Sequence, residues 1–177
     1  MDIISTGVVV LGGPNGAGKS TAAPRLLRGS LRVEEFVNAD TLAQGLSAFR
    51  PENAAVEAGR IMLARLDYLE SLRKSFAFES TLSSRSLARR LARLKEHAYT
   101  VHIVYLWLPT VELALARVAE RVRAGGHDVP ADAVRRGSRA DATTSSRFTD
   151  TWPTRGDFTM RPPSPGRCSW RRADPGG

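Results

Sequence analysis

The strongest constraint on this chain is a glycine-rich segment near its N-terminus. It follows an uninterrupted apolar run at residues 6–11 and precedes a helix-like segment at residues 19–28. Its residues match the pattern G-x-x-x-x-G-K-[ST]: Gly13, Pro14, Asn15, Gly16, Ala17, Gly18, Lys19 and Ser20. A strand, a tight glycine turn and a helix N-terminus in this order predict a P-loop, whose backbone N–H groups surround phosphate groups.

Each part of this P-loop has a predicted task at a nucleoside triphosphate. The glycines let successive N–H groups turn inward, and the helix N-terminus adds the positive end of its dipole. We expect Lys19 to reach the β- and γ-phosphates and Ser20 to ligate Mg²⁺, with Thr21 behind it. The alternative, a glycine turn with a chance lysine, leaves the flanking strand and helix unexplained.

The rest of the chain up to residue 135 alternates between strand-like and helix-like segments, within a length of 177 residues that suits one domain. Strands are predicted at 6–11, 35–38, 75–78 and 100–108, and helices at 19–28, 41–46, 54–73, 86–97 and 111–124. This alternation predicts an α/β fold, the three-layer P-loop sandwich around a parallel sheet. Helical spacing predicts that two helices bury the stripes Ile61, Leu63, Leu66, Leu69, Leu72 and Val111, Leu115, Val118, Val122.

The composition changes near Arg136. Residues 136–177 contain no Leu, Ile or Val but hold five of the ten prolines. A segment without aliphatic side chains buries too little area to offset chain entropy. We therefore expect a P-loop domain at 1–135, with its C-terminal strand missing, and a disordered or loose basic tail at 136–177.

The net charge of +8 raises the question of nucleic-acid binding. Half of the excess lies in the tail, where eight arginines face four aspartates, and basic residues do not alternate with aromatic ones. The pattern therefore favours a protein that handles polyphosphate anions. A single cysteine, Cys168, excludes an intramolecular disulfide, and no leader or membrane span is seen, so we expect a cytoplasmic protein.

Two carboxylates stand at the ends of predicted strands, where ligands of parallel sheets bind. Asp40 follows the second strand and could take the proton of an acceptor hydroxyl, although capping the next helix is an equally good explanation. Glu79 closes the apolar third strand, followed by Thr81 and Ser83. It could bind substrate hydroxyls or orient the Mg²⁺ shell, and the alternative is a solvated strand end before a helix.

Two arginines, Arg117 and Arg121, are four residues apart and share one helix face. Arginine can stabilise the charge of a transferring phosphoryl group, but a solvated basic face explains the pair as well. The Gly125–Pro130 segment then breaks the helix, as a lid hinge or as a simple helix end.

Together these segments resemble the zeta-toxin family of P-loop kinases. The resemblance runs in family order from about residue 5 to 136. It comprises Gly12–Thr21, Phe36–Asp40, Ala58–Arg60, Phe76–Ser83, Tyr105–Pro109 and Arg117–Pro130. Only the P-loop is specific by itself; the ordered combination carries the resemblance.

The resemblance implies ATP-dependent phosphorylation of a UDP-linked amino sugar such as UDP-N-acetylglucosamine. By that analogy Asp40 is the base, and Lys19 and Ser20 hold phosphates and metal. Glu79 and Thr81 hold the sugar nucleotide, and Arg117 or Arg121 contacts the ATP phosphates. The family's toxins are silenced by a small antitoxin, so a protein partner is implied by analogy alone.

The tail departs from the family, which continues after the Val-Pro loop with an Arg-Arg-aromatic helix and a final strand. Arg, Gly, Pro, Ser and Ala enrichment is what GC-rich coding DNA yields in a wrong frame. Shifting the frame of a back-translated Arg147–Arg161 segment produces a family-like ending, and Trp152 and Met160, which have unique codons, still fit. We therefore interpret the tail as the family's C-terminus read out of frame, and expect reduced activity.

The sequence leaves three functions open. The first is a zeta-toxin-type kinase, and the second is another P-loop kinase whose acceptor is a sugar, nucleoside or antibiotic. The third is a nucleotide-binding protein without catalysis, either a decayed gene product or a basic-tailed RNA binder.

Overall fold

Strands and helices alternate along the chain in a computed structural model that describes residues 6–82, 84–126, 128–137, 158–160 and 170–172. The strands are β1 Gly7–Gly12, β2 Glu35–Val37, β3 Phe76–Ser80, β4 Thr100–Leu106, β5 Phe158–Met160 and β6 Trp170–Arg172. The helices are α1 Lys19–Pro24, α2 Ala39–Leu46, α3 Ala55–Ser71, α4 Arg85–Glu96, α5 Val111–Arg123 and α6 at residues 131–137. A 3₁₀ turn, Pro51–Ala54, precedes α3.

Four parallel strands form the part of the sheet that carries the P-loop, in the order β2-β3-β1-β4. The central strand β1 pairs with both β3 and β4, so that Gly12 lies beside Ser80 on one side and Tyr105 on the other. Leu11 lies opposite Glu79. The carboxyl ends of these strands therefore meet at the start of the P-loop, and the predicted α/β fold is confirmed.

Helices cover both faces of this sheet. On one face Val9 and Leu11 of β1 pack with α1, α5 and Val134 of α6. On the other face Val8 and Val10 pack against leucines of α3 and α4, among them Leu66 and Leu91. Alternate residues of β1 thus enter different cores, and all six of its residues are buried, as expected for a strand covered on both sides. The arrangement is the predicted three-layer sandwich.

The helix after the P-loop changes its geometry at Pro24. Proline has no N–H to give to the carbonyl four residues earlier, and its ring crowds that carbonyl. The α-helix accordingly continues as a π-helical segment, Arg25–Leu31, which ends at Arg32 in a left-handed conformation with φ 50°. The predicted helix at 19–28 is therefore present, as an α-helix up to Pro24 and as a π-helix from Arg25 onward.

The predicted burial stripes of two helices are only partly correct. In α3, Leu66 and Leu69 are buried, but Ile61, Leu63 and Leu72 are exposed. The buried face of α3 is completed instead by Ala58 and the ion-paired Glu70. In α5 the buried residues are Ala114 and Val118, and Val122 is exposed. Among the described residues, no helix combines the length and the apolar character that crossing a bilayer requires.

The expectation that a C-terminal strand is missing is wrong for the described backbone. Phe158–Met160 pairs in parallel with β4, and Trp170–Arg172 pairs antiparallel with β5. Backbone pairing needs no aliphatic side chains, so an absence of Leu, Ile and Val does not exclude a strand. The predicted domain boundary at 135, which lies within α6, stays a prediction. Residues 138–157, 161–169 and 173–177 lie outside the described residues, so their predicted disorder stays a prediction.

Candidate active site

The P-loop turns sharply at two glycines that pack against neighbouring backbone. Gly13 has φ 136°, and a side chain there would collide with the carbonyl oxygen of Leu106 at the end of β4. Gly16 has φ 85°, and its Cβ would lie 2.7 Å from the carbonyl oxygen of Ala114 in α5. Both positions require glycine for two reasons: the backbone has a positive φ, and neighbouring backbone atoms leave no room for a Cβ. The loop is held between β4 and α5.

Lys19 is folded back into this loop. It is buried, with 4% of its side chain exposed, and its Nζ donates hydrogen bonds to the carbonyl oxygens of Gly13 at 2.7 Å and Pro14 at 2.9 Å. The same Nζ lies 3.6 Å from Oε1 of Glu79. The ammonium group is thus held inside the loop by its own carbonyls and by one carboxylate from β3.

The Glu79 carboxylate is the meeting point of three elements. Its Oε2 accepts a hydrogen bond from the Ser20 hydroxyl at 2.8 Å and another from Nδ2 of Asn38 at 2.7 Å. The Asn38 amide also lies 3.3 Å from the Ser20 hydroxyl oxygen. The end of β3, the start of α1 and the end of β2 therefore converge within hydrogen-bond distance.

Asp40 stands at the same edge of the sheet, in the first turn of α2. Its side chain is exposed, and among the described residues its carboxylate has no hydrogen-bond or ion-pair partner. The alternative role as the helix N-cap is wrong, because Asn38 fills it: its Oδ1 accepts from the N–H groups of Asp40 at 2.7 Å and Thr41 at 3.3 Å. Asp40 is therefore free to face a ligand.

The hydroxyl residues after β3 are only partly described. Thr81 is half-buried directly after the strand, and the next residue, Leu82, has φ 57° and donates its N–H to Oγ of Ser80. The chain thus turns sharply just past Glu79. The predicted site residue Ser83 lies outside the described residues, and Thr21 is exposed behind Ser20 in α1.

Both predicted arginines lie on the side of α5 that touches the P-loop. Ala114, Arg117 and Arg121 are spaced three and four residues apart, so they share a helix face, and Ala114 packs against Gly16. Arg117 is half-buried and has no ion-pair partner among the described residues. In Arg121, Nε and Nη2 are buried without a hydrogen-bond partner in that part of the chain. Within the described residues, no acidic side chain neutralises either arginine.

The oxygens at Ser20 and Glu79 fit the requirements of Mg²⁺. This ion commonly takes only one or two protein oxygens and completes its shell with water and substrate phosphates. Here a hydroxyl and a carboxylate oxygen are 2.8 Å apart next to the phosphate-binding loop. Among the described residues no cluster of three or more His, Cys, Asp or Glu could hold a metal by itself. Mg²⁺ held by Ser20 and Glu79 would complete its shell with water and substrate phosphates.

Sequence reasoning missed the role of Asn38. It is 6% exposed and connects the P-loop serine, the β3 carboxylate and the N-terminus of α2. A local signal was present, because asparagine just after a strand and before a helix-like segment is a favoured N-cap. The hydrogen bond across 41 residues to Glu79 had no sequence signal.

The family comparison agrees with this geometry. A family profile named AAA_33 and described as "AAA domain" matches residues 8–141, which contain the whole P-loop and all of the four parallel strands except Gly7. This chain belongs to that family. An uncharacterized protein of Haemophilus influenzae is 34% identical over 125 residues, which are 70% of this chain and 86% of the relative.

Several solved structures share the fold at low sequence identity. The PezAT chromosomal toxin-antitoxin system of Streptococcus pneumoniae matches with a TM-score of 0.69 and 16% identity, over 92% of this chain and 70% of that one. The AvrRxo1-ORF1:AvrRxo1-ORF2 structure with ATP matches with a TM-score of 0.69 and 19% identity, over 96% of this chain and 58% of that one. Shikimate kinase from Acinetobacter baumannii matches with a TM-score of 0.55 and 20% identity, over 90% and 86%. This AAA_33 chain thus shares the overall fold of these structures.

Proposed function

We propose that this protein is an ATP-dependent phosphotransferase that phosphorylates a hydroxyl group of a UDP-linked amino sugar such as UDP-N-acetylglucosamine. The observation that carries the proposal is the unpartnered carboxylate of Asp40, two residues beyond the asparagine that binds Glu79 beside Ser20. A phosphate-binding loop and a free carboxylate at one sheet edge are what transfer to an alcohol requires.

The phosphate side of the reaction uses the P-loop and the arginines of α5. Lys19 exchanges its loop carbonyls for the β- and γ-phosphate oxygens, and Arg117 or Arg121 neutralises charge that spreads over the transferring group. Mg²⁺, when bound with ATP, would neutralise phosphate charge, held by Ser20 with Glu79 beside it. The contacts of Glu79 with Ser20 favour this metal-side role over a direct contact with the sugar.

The acceptor side uses Asp40. Its carboxylate accepts the proton of the acceptor hydroxyl as that oxygen bonds to the γ-phosphorus and the bond to the β–γ bridging oxygen breaks. The products are ADP and the phosphorylated acceptor, with the proton on Asp40. Thr81, at the same edge, and Ser83 supply hydroxyls for the sugar nucleotide. This acceptor assignment rests on the zeta-toxin resemblance.

A turnover assay with ATP, Mg²⁺ and UDP-N-acetylglucosamine tests the proposal, with Asp40→Asn as the matched variant. We expect phosphorylated acceptor from the wild type and a fall in kcat of about 10²–10⁴ in Asp40→Asn at unchanged ATP affinity. Turnover of shikimate or another small alcohol alone would support a different P-loop kinase. ATP binding without turnover of any acceptor would support a non-catalytic nucleotide-binding protein.

We also propose a protein partner, a small antitoxin, from the family resemblance, and a cytoplasmic location, from the single cysteine Cys168. The PezAT likeness supports the partner only through the fold. Co-purification of a small protein that abolishes ATP binding would support the pairing. Unchanged ATP binding in the presence of candidate partners would count against it.

We further propose that the tail is an out-of-frame reading of the family's C-terminus. The support is its composition, with no Leu, Ile or Val in residues 136–177. Sequencing the DNA around codon 136 tests this directly. An intact downstream frame that ends soon after would contradict it.

A further inference from the structure

We propose that Asn38 is a positioning residue that holds the Glu79 carboxylate beside the P-loop serine for the metal ion of a bound nucleotide. The inference rests on the proposed ATP binding and assigns a task to a residue outside the predicted site. It also explains why an amide, rather than any other good helix cap, stands at the end of β2.

The contacts of Asn38 use both ends of one planar amide. The oxygen accepts the N–H groups of Asp40 and Thr41, which ordinary capping explains. The nitrogen donates to Oε2 of Glu79 at 2.7 Å, and a cap does not need this bond. A flipped amide would set its oxygen against the Glu79 carboxylate and its NH₂ against two N–H groups. The partners therefore define one orientation.

Burial shields the hydrogen bond between Asn38 and Glu79, called the bridge below, from water. Asn38 is 6% exposed and the Glu79 side chain 11%, so little water competes for their hydrogen bond. Ser20 donates to the same carboxylate oxygen at 2.8 Å. A metal ion that takes a lone pair of the Ser20 oxygen leaves the hydroxyl proton in place, so Ser20 and Asn38 both restrain the carboxylate, and Asn38 is the donor outside the metal shell.

The choice of substitution at Asn38 can remove the hydrogen bond to Glu79 and keep the cap of α2. Serine is as good an N-cap as asparagine, but its side chain ends before the amide nitrogen that reaches Glu79. Asn38→Ser therefore keeps the cap of α2 and removes the bridge. Asn38→Thr is a second variant with the same logic, should the serine variant fail to fold. Ser84→Ala is the matched control, because Ser84 caps α4 through the N–H of Ser86.

Calorimetric titration of ATP into the full chain, with Mg²⁺ and with EDTA, tests the proposal. We expect Asn38→Ser to weaken ATP binding by about 10-fold or more in Mg²⁺, as loss of a group that orients a metal ligand does, and to leave binding in EDTA near that of the wild type. In a Glu79→Gln background, Asn38→Ser should have no further Mg²⁺-dependent effect. Ser84→Ala should lower Tm by a few degrees and leave both titrations unchanged.

Three outcomes would overturn the proposal. ATP binding by Asn38→Ser that equals that of the wild type, in Mg²⁺ and in EDTA, would leave Asn38 as a helix cap alone. An equal loss with and without Mg²⁺ would place its effect on the loop and not on the Glu79 carboxylate. Absence of ATP binding by the wild type would overturn the proposed function and, with it, this inference.

Discussion

Charged side chains gather at both ends of the sheet, and the two groups differ in how completely their charges are paired. At the carboxyl ends of the strands, Lys19, Ser20 and Asn38 surround Glu79. At the amino ends, Glu70 of α3 receives Arg93 at 2.9 Å and Nδ1 of His97 at 2.8 Å. Asp67 pairs there with Arg90 and Arg93, at 2.9 Å each.

The second group is a structural cluster. Its side chains come from α3, the neighbouring α4 and the residue just after α4, and each acidic group has at least two basic partners. The hydroxyl of Tyr99, just before β4, donates to the carbonyl oxygen of Lys74, just before β3. These bonds tie two helices and two strand starts together. They leave no acidic group of the cluster unpaired.

The first group is paired in a way that a ligand can replace. Lys19 is satisfied by two carbonyls of its own loop, which phosphate oxygens can substitute. Asp40 and Arg117 have no charged partner in the part of the chain that the structure describes. Charged groups that all have ion-pair partners indicate a structural role. Charged groups without such partners at the end of a strand indicate a candidate binding or active site. The following variants test this contrast.

The largest effect is expected at Lys19. Lys19→Ala removes the charged donor to the β- and γ-phosphates, so ATP affinity should fall by about 100-fold, the cost of one or two charge-assisted hydrogen bonds. Isothermal titration measures it. Lys74→Ala is the matched control, because Lys74 is an exposed lysine that pairs with Glu35 at the opposite end of the sheet. Unchanged affinity in Lys19→Ala would remove the basis of the proposed function.

Glu70→Gln tests the structural cluster. The change removes the buried counter-charge of Arg93, which keeps the exposed Asp67, and weakens the bond to His97, so the free energy of unfolding should fall by about 1–2 kcal/mol. Chemical denaturation measures this loss. The ATP affinity of the variant, measured at a denaturant concentration well below its unfolding transition, should equal that of the wild type. A drop in ATP affinity without a loss of stability would reverse the assignment of the two groups.

The smallest effect concerns acid stability. Partial burial raises the pKa of Asp67, but the hydrogen bonds and charges of Arg90 and Arg93 outweigh it, so the pKa lies below its usual value. The hydrogen bond from Arg65 likewise lowers the pKa of Glu35. Carboxyls with a depressed pKa in the folded state stabilise the protein above their unfolded pKa of about 4, and this contribution is lost as pH falls through the folded pKa.

Urea denaturation between about pH 6 and pH 2 measures this loss. Asp67→Asn should flatten the acid limb by less than about 1 kcal/mol, because the side chain is half exposed and screened by water. Stability of the wild type that stays constant down to the lowest pH would contradict the pairing of Asp67 in solution.

The fold was predictable where local pattern and burial coincide. The buried run of β1, the glycines of the P-loop and the alternation of strands and helices predicted the layers correctly. Helical spacing failed for Ile61, Leu63 and Leu72, because periodicity selects a face but not whether a neighbouring element covers it. The tail strand was missed because parallel pairing with β4 depends on backbone groups and not on aliphatic content.

By itself the sequence determined the phosphate-binding loop and the parallel sheet behind it, since glycine conformations, lysine charge and β-branched burial act over a few neighbouring residues. Only the tertiary structure decided that Asn38 and Ser20 both lie against Glu79. These contacts join residues 41 and 59 positions apart. Their geometry comes from the register of β2, β3 and β1, which no local pattern of residues specifies.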